Sequence, residues 1–160
     1  MKVSGALTTA FLIAGIAVVG WVWMDRMRAS RMSSVTAVQG RGAGLLRPDD
    51  AALVALGEKV YARACANCHG ANLEGQAGWR NRRGLAPAHD ESGHTWHHPD
   101  YLLVQFVRDG TVRVGGTMPA FGGTLSERDI LAVLSFIKSR WPARIREAHD
   151  SINARAGGRG

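Results

Sequence analysis

The chain has 160 residues, which suffices for one compact domain with an appendage, because single cores usually close at about 100 to 150 residues. Its net charge of +7 fits an anionic membrane surface or an acidic protein partner. The sequence lacks the basic groove interleaved with aromatic residues that single-stranded nucleic acid requires, so we expect no nucleic-acid partner. The two cysteines are separated by only two residues, which excludes a disulfide framework between distant parts of the fold.

The N-terminal segment is apolar, and residues 3–24 include no charged side chain. At a helical rise of about 1.5 Å per residue, this run can cross the apolar core of a bilayer, about 30 Å thick. Trp21 and Trp23 stand where interfacial aromatic residues are common. We therefore predict a transmembrane anchor over residues 1–24. A cleaved signal peptide is the alternative, but no small-x-small cleavage site follows the apolar block.

A linker, residues 25–47, follows the anchor and mixes Ser, Gly, Arg and Ala without a regular period, which predicts a flexible spacer. Its first arginines, Arg26, Arg28 and Arg31, outnumber Lys2. The positive-inside rule therefore favours a cytoplasmic location for the rest of the chain. The chemistry of the domain, described below, favours the opposite orientation, and we give the chemistry the greater weight.

Three helices are predicted in the domain that follows, residues 48–142, and strand patterns are nearly absent, so the predicted class is all-α. The first is capped by Asp49 or Asp50 and runs into Cys65. The second begins at Pro99 and ends at Gly110. The third begins after the capping box Thr124-Leu125-Ser126-Glu127 and ends at Pro142. Such short helices bury little against one another, which predicts a large apolar cofactor in the core. Residues 143–160 are basic and rich in Gly and Arg towards their end, which predicts a disordered tail.

The motif Cys65-Ala66-Asn67-Cys68-His69 carries the strongest chemical signal. Its two thiols can form thioether bonds to the two vinyl groups on one edge of a haem, while the next residue turns its imidazole onto the iron. The motif therefore predicts one covalently bound haem c. A thioredoxin-like dithiol needs the cysteines at the start of a helix beside strands. A zinc site would combine the two cysteines with later histidines, but the spacing between them matches no familiar zinc-binding pattern. Both alternatives fit the sequence less well.

Met118 is the candidate for the second axial ligand of the iron, because the other four methionines lie in or beside the anchor. It belongs to the run Gly115-Gly116-Thr117-Met118-Pro119, where glycine permits close approach and Pro119 keeps the preceding residue out of the helical region. A single methionine in a domain usually fills the core. The loop setting favours a ligand instead.

Three segments resemble the class I c-type cytochrome family, and in particular its membrane-anchored bacterial monohaem members: Cys65-Ala66-Asn67-Cys68-His69-Gly70, Met118-Pro119-Ala120-Phe121 and Ile137-Lys138-Ser139-Arg140-Trp141-Pro142. The resemblance covers the chain from Pro48 to Trp141. It implies three main helices and long loops around one haem, with the N-terminal helix packed across the C-terminal one. It also implies axial ligation by His69 and Met118, and a proline carbonyl that orients the proximal imidazole, a role that falls to Pro87.

The same resemblance implies attachment of the haem outside the cytoplasmic membrane, so the expected location is the bacterial cytoplasmic membrane with the haem domain facing the periplasm. The expected function is transfer of single electrons between a protein donor and a protein acceptor, alone or within a larger oxidoreductase, and not catalysis. Arg80, Arg82 and Arg83 are expected near the exposed thioether edge, where they would attract an acidic partner.

A histidine-rich loop, residues 89–98, distinguishes the chain from the smallest family members. We expect Trp96 and one histidine to bond the haem propionates in the haem pocket or to cap the second helix. A copper or zinc site is a second possibility, since imidazole is a common ligand of both metals; its residues would be His94, His97 and His98. The alternative functions are then copper handling or sensing on this loop, and a five-coordinate haem enzyme or gas sensor that lacks the Met118 ligand. In a further variant, a histidine replaces Met118 on the iron.

Overall fold

The computed structural model describes residues 44–157; the predicted anchor, most of the predicted linker and the last three residues lie outside this range. The described residues form five α-helices and two 3-10 helices, without a strand: α1 (Ala51–Ala64), α2 (Ala66–His69), α3 (Asp100–Asp109), α4 (Glu127–Ser139), α5 (Ala143–Gly157), and the 3-10 helices Thr95–His97 and Val112–Val114. The prediction of an all-α domain is confirmed for this range. Within it, every helix falls short of the length and apolar character that crossing a bilayer demands.

Helix α1 begins and ends where its sequence predicts. The Asp50 side chain accepts a hydrogen bond of 3.0 Å from the Leu53 amide and so caps the first turn. At the other end the Cys65 amide donates to the Tyr61 carbonyl at 2.9 Å, so the helix continues up to the motif. Its buried face consists of Gly57, Val60 and Tyr61.

Helix α4 also forms where predicted, but its capping box lies two residues later than expected. The Ser126 hydroxyl accepts a hydrogen bond from the Asp129 amide at 3.1 Å, and the Asp129 carboxylate accepts one from the Ser126 amide at 3.2 Å. Ser126 adopts the extended backbone of an N-cap residue, which places Asp129 at the third helical position that a reciprocal box requires. Thr124 instead donates its hydroxyl hydrogen to the Phe121 carbonyl in the preceding turn.

The principal helix contact is the crossing of α1 over α4 at Gly57. A Cβ atom on Gly57 would lie 2.0 Å from the Ala132 carbonyl oxygen and 2.8 Å from the Phe136 Cβ atom. One turn further along α1, the Tyr61 ring packs on the Phe136 ring with 5.5 Å between centroids. The absence of a side chain at Gly57 therefore determines how closely the two helices approach, and the first predicted helix of the domain packs across the last predicted one, as the resemblance implies.

The segment before α1 is part of the folded domain rather than of a flexible spacer. Leu46 is buried, its amide donates to the Asp100 carboxylate at 3.0 Å, and the amide of Arg47 donates to the Ser135 hydroxyl at 3.0 Å. These bonds join the segment to α3 and α4. The predicted linker boundary at residue 47 therefore lies too far along the chain, because the sequence pattern did not reveal polar partners from distant helices.

Helix α5 replaces the disordered tail that the sequence predicted from residue 143. The Pro142 carbonyl accepts hydrogen bonds from the Ile145 and Arg146 amides, so the proline that was predicted to end the third helix stands at the start of α5, while α4 already ends at Ser139. Ile145 and His149, four residues apart, are buried on its inner face. Because His149 is polar, it weakens the apolar pattern at helical steps, and the sequence therefore does not predict this helix.

A buried polar network joins α5 to α3. The His149 side chain is fully buried. Its Nε2 atom lies 3.0 Å from the His98 carbonyl oxygen and 3.3 Å from the Asp100 Oδ1. The Asn153 amide group donates to the Asp100 carboxylate at 3.0 Å and accepts from the Asp100 backbone amide at 2.8 Å. The buried carboxylate of Asp100 thus has several donors, as a buried charge requires.

Replacing Gly57 should weaken the domain. Gly57→Ala places a methyl group against the backbone of α4, and overpacking of this kind costs about 1–3 kcal/mol. Gly123→Ala is the matched control, because a Cβ atom there meets nothing within 4 Å. Denaturant unfolding of the haem-loaded protein measures both variants, and equal stability of the two would contradict this view of the crossing.

The domain should also lose stability in acid through His149. Burial lowers the pKa of His149 from its ordinary 6.5, and this outweighs the opposing effect of the Asp100 carboxylate. The charge of Lys138 also lowers this pKa, and that of Asp150 raises it. The unfolded chain therefore binds more protons than the folded one as pH falls below 6.5. For one such proton, the free energy of unfolding falls by at most about 1.4 kcal/mol per pH unit.

The neutral variant His149→Gln should reduce this dependence of the unfolding free energy on pH between pH 7 and pH 5, roughly the range in which a histidine titrates. His94→Gln, at an exposed histidine, is the control. Parallel pH profiles for wild type and His149→Gln would show that protonation of His149 does not oppose folding.

Candidate haem-binding site

The cysteine motif follows α1 directly, with Cys65 before α2 and the other four residues forming α2. The Cys65 carbonyl accepts hydrogen bonds from the Cys68 amide at 3.1 Å and the His69 amide at 2.9 Å, so Cys65, Cys68 and His69 lie within one helical turn. Cys65 is half-buried, Cys68 is exposed, and both are free thiols. This arrangement presents two sulfur atoms close to one imidazole, which is what attachment along one edge of a haem requires.

The environment of Cys65 disfavours a redox dithiol. Burial, and then the neighbouring Cys68, raise the pKa of the Cys65 thiol to about 11. Thiol–disulfide catalysts work through a thiolate with a lowered pKa, commonly at the start of a helix. Here the pair follows α1 and lies at a helix of only four residues, α2, and the described residues contain no strand beside it. The site therefore differs from a thioredoxin-like one in both geometry and electrostatics.

The His69 ring is held by one hydrogen bond to the backbone. It is buried, with 7 % of its surface exposed, and its Nδ1–H donates to the Pro87 carbonyl at 2.8 Å. This bond assigns the hydrogen to Nδ1 and leaves Nε2 with its lone pair, as a metal ligand needs. Burial also lowers the pKa of His69, more than the bond to Pro87 raises it, so the ring favours its neutral form.

Pro87 reaches His69 because two loop segments, residues 73–76 and 86–89, run side by side. The Gln76 amide donates to the Ala86 carbonyl at 3.0 Å, and the His89 amide donates to the Leu73 carbonyl at 2.7 Å. Gly75 has a positive φ of 75°, and a Cβ atom on it would lie 2.5 Å from the Ala88 nitrogen. Glycine is therefore required where the segments approach most closely.

His89 packs face to face on His69, a contact that the sequence did not predict. The ring centroids are 3.9 Å apart and the planes are inclined by 22°. Thr95 lies 2.7 Å from the His89 Nδ1, and the Trp141 indole donates to the His89 carbonyl at 2.7 Å. Burial, and then the charges of His69 and His94, lower the pKa of His89 to about 3. A neutral ring thus packs on the face of His69, the predicted proximal ligand.

Trp96 carries a buried donor without an acceptor. Its Nε1 is the one buried side-chain nitrogen or oxygen atom without a hydrogen-bond partner in the described residues, although its ring packs on His97 with 3.7 Å between centroids. Buried indole nitrogens usually find a partner. A haem propionate, one of the two partners expected for Trp96, would supply the missing acceptor, so this residue fits the predicted cofactor.

Met118 lies half-buried in a loop, residues 110–121, that we call the Met118 loop. Thr111 holds it twice, since its hydroxyl accepts from the Met118 amide at 3.2 Å and its amide donates to the Met118 carbonyl at 2.9 Å. Gly110, with φ of 70°, and Gly116 make room for this turn; a Cβ atom on Gly116 would lie 2.2 Å from the Thr111 Oγ1. The backbone at Met118 is therefore fixed by its own loop.

The Met118 loop is joined to the chain that leads to Pro87. The Thr117 hydroxyl donates to the Gly84 carbonyl at 3.0 Å, three residues before Pro87. Sequence patterns do not reveal this bond, because it links two irregular segments. It places the segment of the predicted distal ligand against the segment that orients the predicted proximal ligand.

The structure does not assemble the copper or zinc site considered for His94, His97 and His98. The His94 and His98 rings lie edge to face with 5.5 Å between centroids, while His97 packs on Trp96. Among residues 44–157, no three His, Cys, Asp or Glu side chains are grouped to hold a metal ion. The histidines are instead distributed among ring contacts, and His98 packs on Phe106 at the buried side of α3.

Comparison with known proteins identifies the family. The family model described as cytochrome C oxidase, cbb3-type, subunit III matches residues 52–137, which is more than half of the chain and nearly all of the segment from α1 to α4. No solved structure matches the chain. The free thiols of Cys65 and Cys68, the oriented imidazole of His69 and the unsatisfied donor of Trp96 fit a covalently bound haem. The chain belongs to this family of c-type cytochromes, and its cofactor is haem c.

Proposed function

We propose that the protein carries single electrons between a donor and an acceptor protein through one haem whose iron is bound by His69 and Met118. The observation that carries the proposal is the hydrogen bond from Thr117 to the Gly84 carbonyl, 3.0 Å long. It supports a distal ligand in the Met118 loop because it joins that loop to the segment of Pro87, which in turn contacts His69.

The positions of the histidines also support Met118. Two axial imidazoles lie on opposite sides of the iron and therefore cannot stack, whereas His89 stacks on His69. His149 is fully buried against Asp100, and His98 packs on Phe106. These contacts occupy the rings that would otherwise compete with Met118, which is half-buried against the core.

A haem bound in this way supplies a one-electron iron couple. The side chains of the domain would set its potential, since a neutral methionine ligand and burial among apolar groups both favour the ferrous form. Pro87 would hold His69 in the tautomer that binds through Nε2. With both axial positions filled, no position is open to a substrate, so the protein acts as a carrier and not as an enzyme.

We also propose that residues 1–24 anchor the carrier in the bacterial cytoplasmic membrane, with the haem domain in the periplasm. The apolar run of residues 3–24 and the thioether chemistry of the motif support this location. Fusions of a periplasm-dependent reporter to the C-terminus test the orientation. We expect this fusion to be active. An inactive fusion, together with activity of a cytoplasm-dependent reporter at the same position, would show that the domain faces the cytoplasm, as the arginines after the anchor favour.

Removing the methionine should change the iron site selectively. Met118→Ala is expected to abolish the weak far-red absorption band of methionine-bound ferric haem and to lower the midpoint potential, because water or a nitrogen ligand favours ferric iron. Ala120→Gly, in the same loop but exposed, is the control and should keep the band.

The same spectra test the alternatives. If Met118→Ala keeps the spectrum of the wild type, Met118 is not a ligand, and a five-coordinate enzyme or sensor, or a histidine ligand, becomes the better explanation. Copper handling would require a stoichiometric copper site that is lost when His94, His97 and His98 are replaced together.

Trp96 should contribute a hydrogen bond only in the haem-loaded protein. Trp96→Phe keeps the ring packing and removes the Nε1–H. We therefore expect the free energy of unfolding of the haem-loaded protein to fall by roughly 1.5–3 kcal/mol, the range for hydrogen bonds to charged groups. We also expect the midpoint potential of the haem to change. Trp141→Phe is the matched control because its indole donates to the His89 carbonyl and not to the cofactor. It should lower stability and leave the potential unchanged; equal potentials for all three proteins would remove the propionate role of Trp96.

A further inference from the structure

The hydrogen bond to Pro87 restrains the His69 ring in only one respect. Its Nδ1 atom lies 2.8 Å from the Pro87 carbonyl oxygen, and such a bond keeps its length and angle when the ring turns about the N–H direction. The plane of the imidazole is therefore not set by this bond alone. A contact on the face of the ring is needed to prevent the turn.

His89 supplies a contact of this kind. Its ring is inclined by only 22° to that of His69, with 3.9 Å between centroids, so it covers one face of the imidazole. Flat rings at this separation are already in van der Waals contact, and a turn of the His69 ring would drive its edge into His89. Pro87 and His89, two residues apart, thus restrain the edge and the face of the same ring.

The His89 ring can restrain its neighbour only if it is itself held, and three hydrogen bonds hold it. The His89 amide donates to the Leu73 carbonyl at 2.7 Å, and the His89 carbonyl accepts from the Trp141 indole at 2.7 Å. These two bonds fix its backbone. The third joins the His89 Nδ1 to the Thr95 Oγ1 at 2.7 Å and fixes the rotation of the ring.

The histidine-rich loop folds back on itself to bring Thr95 to this ring. The Gly93 amide donates to the Asp90 carbonyl at 3.2 Å, and a Cβ atom on Gly93 would lie 2.0 Å from the Ala88 carbonyl oxygen. Because glycine stands at this close approach, the chain can return to Thr95, which is buried. An apolar residue in place of His89 would fill the same space, but it would offer no polar edge for the Thr95 hydroxyl to hold.

We propose that His89 is a positioning residue that fixes the plane of the His69 imidazole, with Thr95 holding the His89 ring. The inference rests on the part of the proposed function that makes His69 an axial ligand, and it does not depend on Met118. The plane of an axial imidazole sets the direction of its π overlap with iron, and therefore the anisotropy of the ferric magnetic signal. A ligand locked by packing and hydrogen bonds also keeps the iron site similar in its two oxidation states.

Electron paramagnetic resonance of the full-length, haem-loaded ferric protein tests the proposal. We expect His89→Ala to shift the g values of the wild type and to broaden the lines, because the imidazole can then adopt several planes. His89→Phe keeps a flat ring on His69 and should retain g values close to those of the wild type. Thr95→Val removes the hydroxyl and should broaden the lines with a smaller shift. If His89→Ala does not retain haem, His89→Leu takes its place, since leucine fills space without a flat face.

Two controls separate positioning from a general loss of stability. Ile145→Ala removes a buried side chain of α5 and should destabilise the domain while keeping the wild-type g values. His94→Ala removes an exposed histidine of the same loop and should change neither stability nor g values.

Three results would overturn the proposal. The first is wild-type g values in His89→Ala or in its substitute His89→Leu. The second is a shift in His89→Phe as large as that in His89→Ala, because the stacked face would then not be what holds His69. The third is an equal shift in Ile145→Ala, because the signal would then follow stability.

The far-red absorption band separates this inference from the proposed function. The His89 variants should keep the band, because Met118 is unchanged in them. A wild-type protein without the band would refute Met118 as a ligand, while the g values would still decide the role of His89. If the wild type has the band and His89→Ala leaves the g values unchanged, only the role of His89 is wrong.

Discussion

The close approach of α1 and α4 at Gly57 is the constraint on which the haem site depends. Because the backbones of the two helices meet there, the next turn of α1 brings Tyr61 onto Phe136 and into the interior. The Tyr61 hydroxyl then donates to the Gly70 carbonyl at 2.8 Å, directly after the motif. Burial raises the pKa of this hydroxyl, so it remains a donor at neutral pH. The motif is thus held at both ends by one helix: Cys65 continues α1, and Gly70 is bound from its buried face.

From the motif, a chain of contacts extends through the proximal side to the end of the domain. Pro87 orients His69, and His89 packs on the same ring. The carbonyl of His89 accepts a hydrogen bond from Trp141, whose ring in turn packs on His149 with 5.1 Å between centroids. Helix α5 is therefore connected to the surroundings of His69, the predicted proximal ligand, although it lies outside the segment that matches the family. We infer that its polar interface with α3 stabilises the position of the loop that carries His89.

Local patterns determined which parts of this fold could be predicted. Helices α1, α3 and α4 have cap residues, breakers and apolar positions at helical steps, all of which are local features of the sequence, and their predicted limits agree with the structure to within a few residues. Pro87 was expected from the family resemblance, and the structure places its carbonyl against His69. The stacking of His89, the fixing of Met118 by Thr111, and the packing of α5 depend on contacts between irregular segments or on buried polar residues. Such contacts leave no period in the sequence.

Thr111 links the chemistry of the site to its surface. Its hydroxyl and its amide fix the backbone of Met118, and its carbonyl accepts hydrogen bonds from the Val114 and Gly116 amides. The same residue thus positions the predicted iron ligand inward and the exposed side chains of Val112 and Val114 outward. A ligand must be preorganised if the iron site is to change little between its two oxidation states, and the two bonds from Thr111 fix the backbone of the predicted ligand. The bonds from the Val114 and Gly116 amides to the Thr111 carbonyl explain why the apolar side chains remain exposed: turning them inward would require these bonds to break.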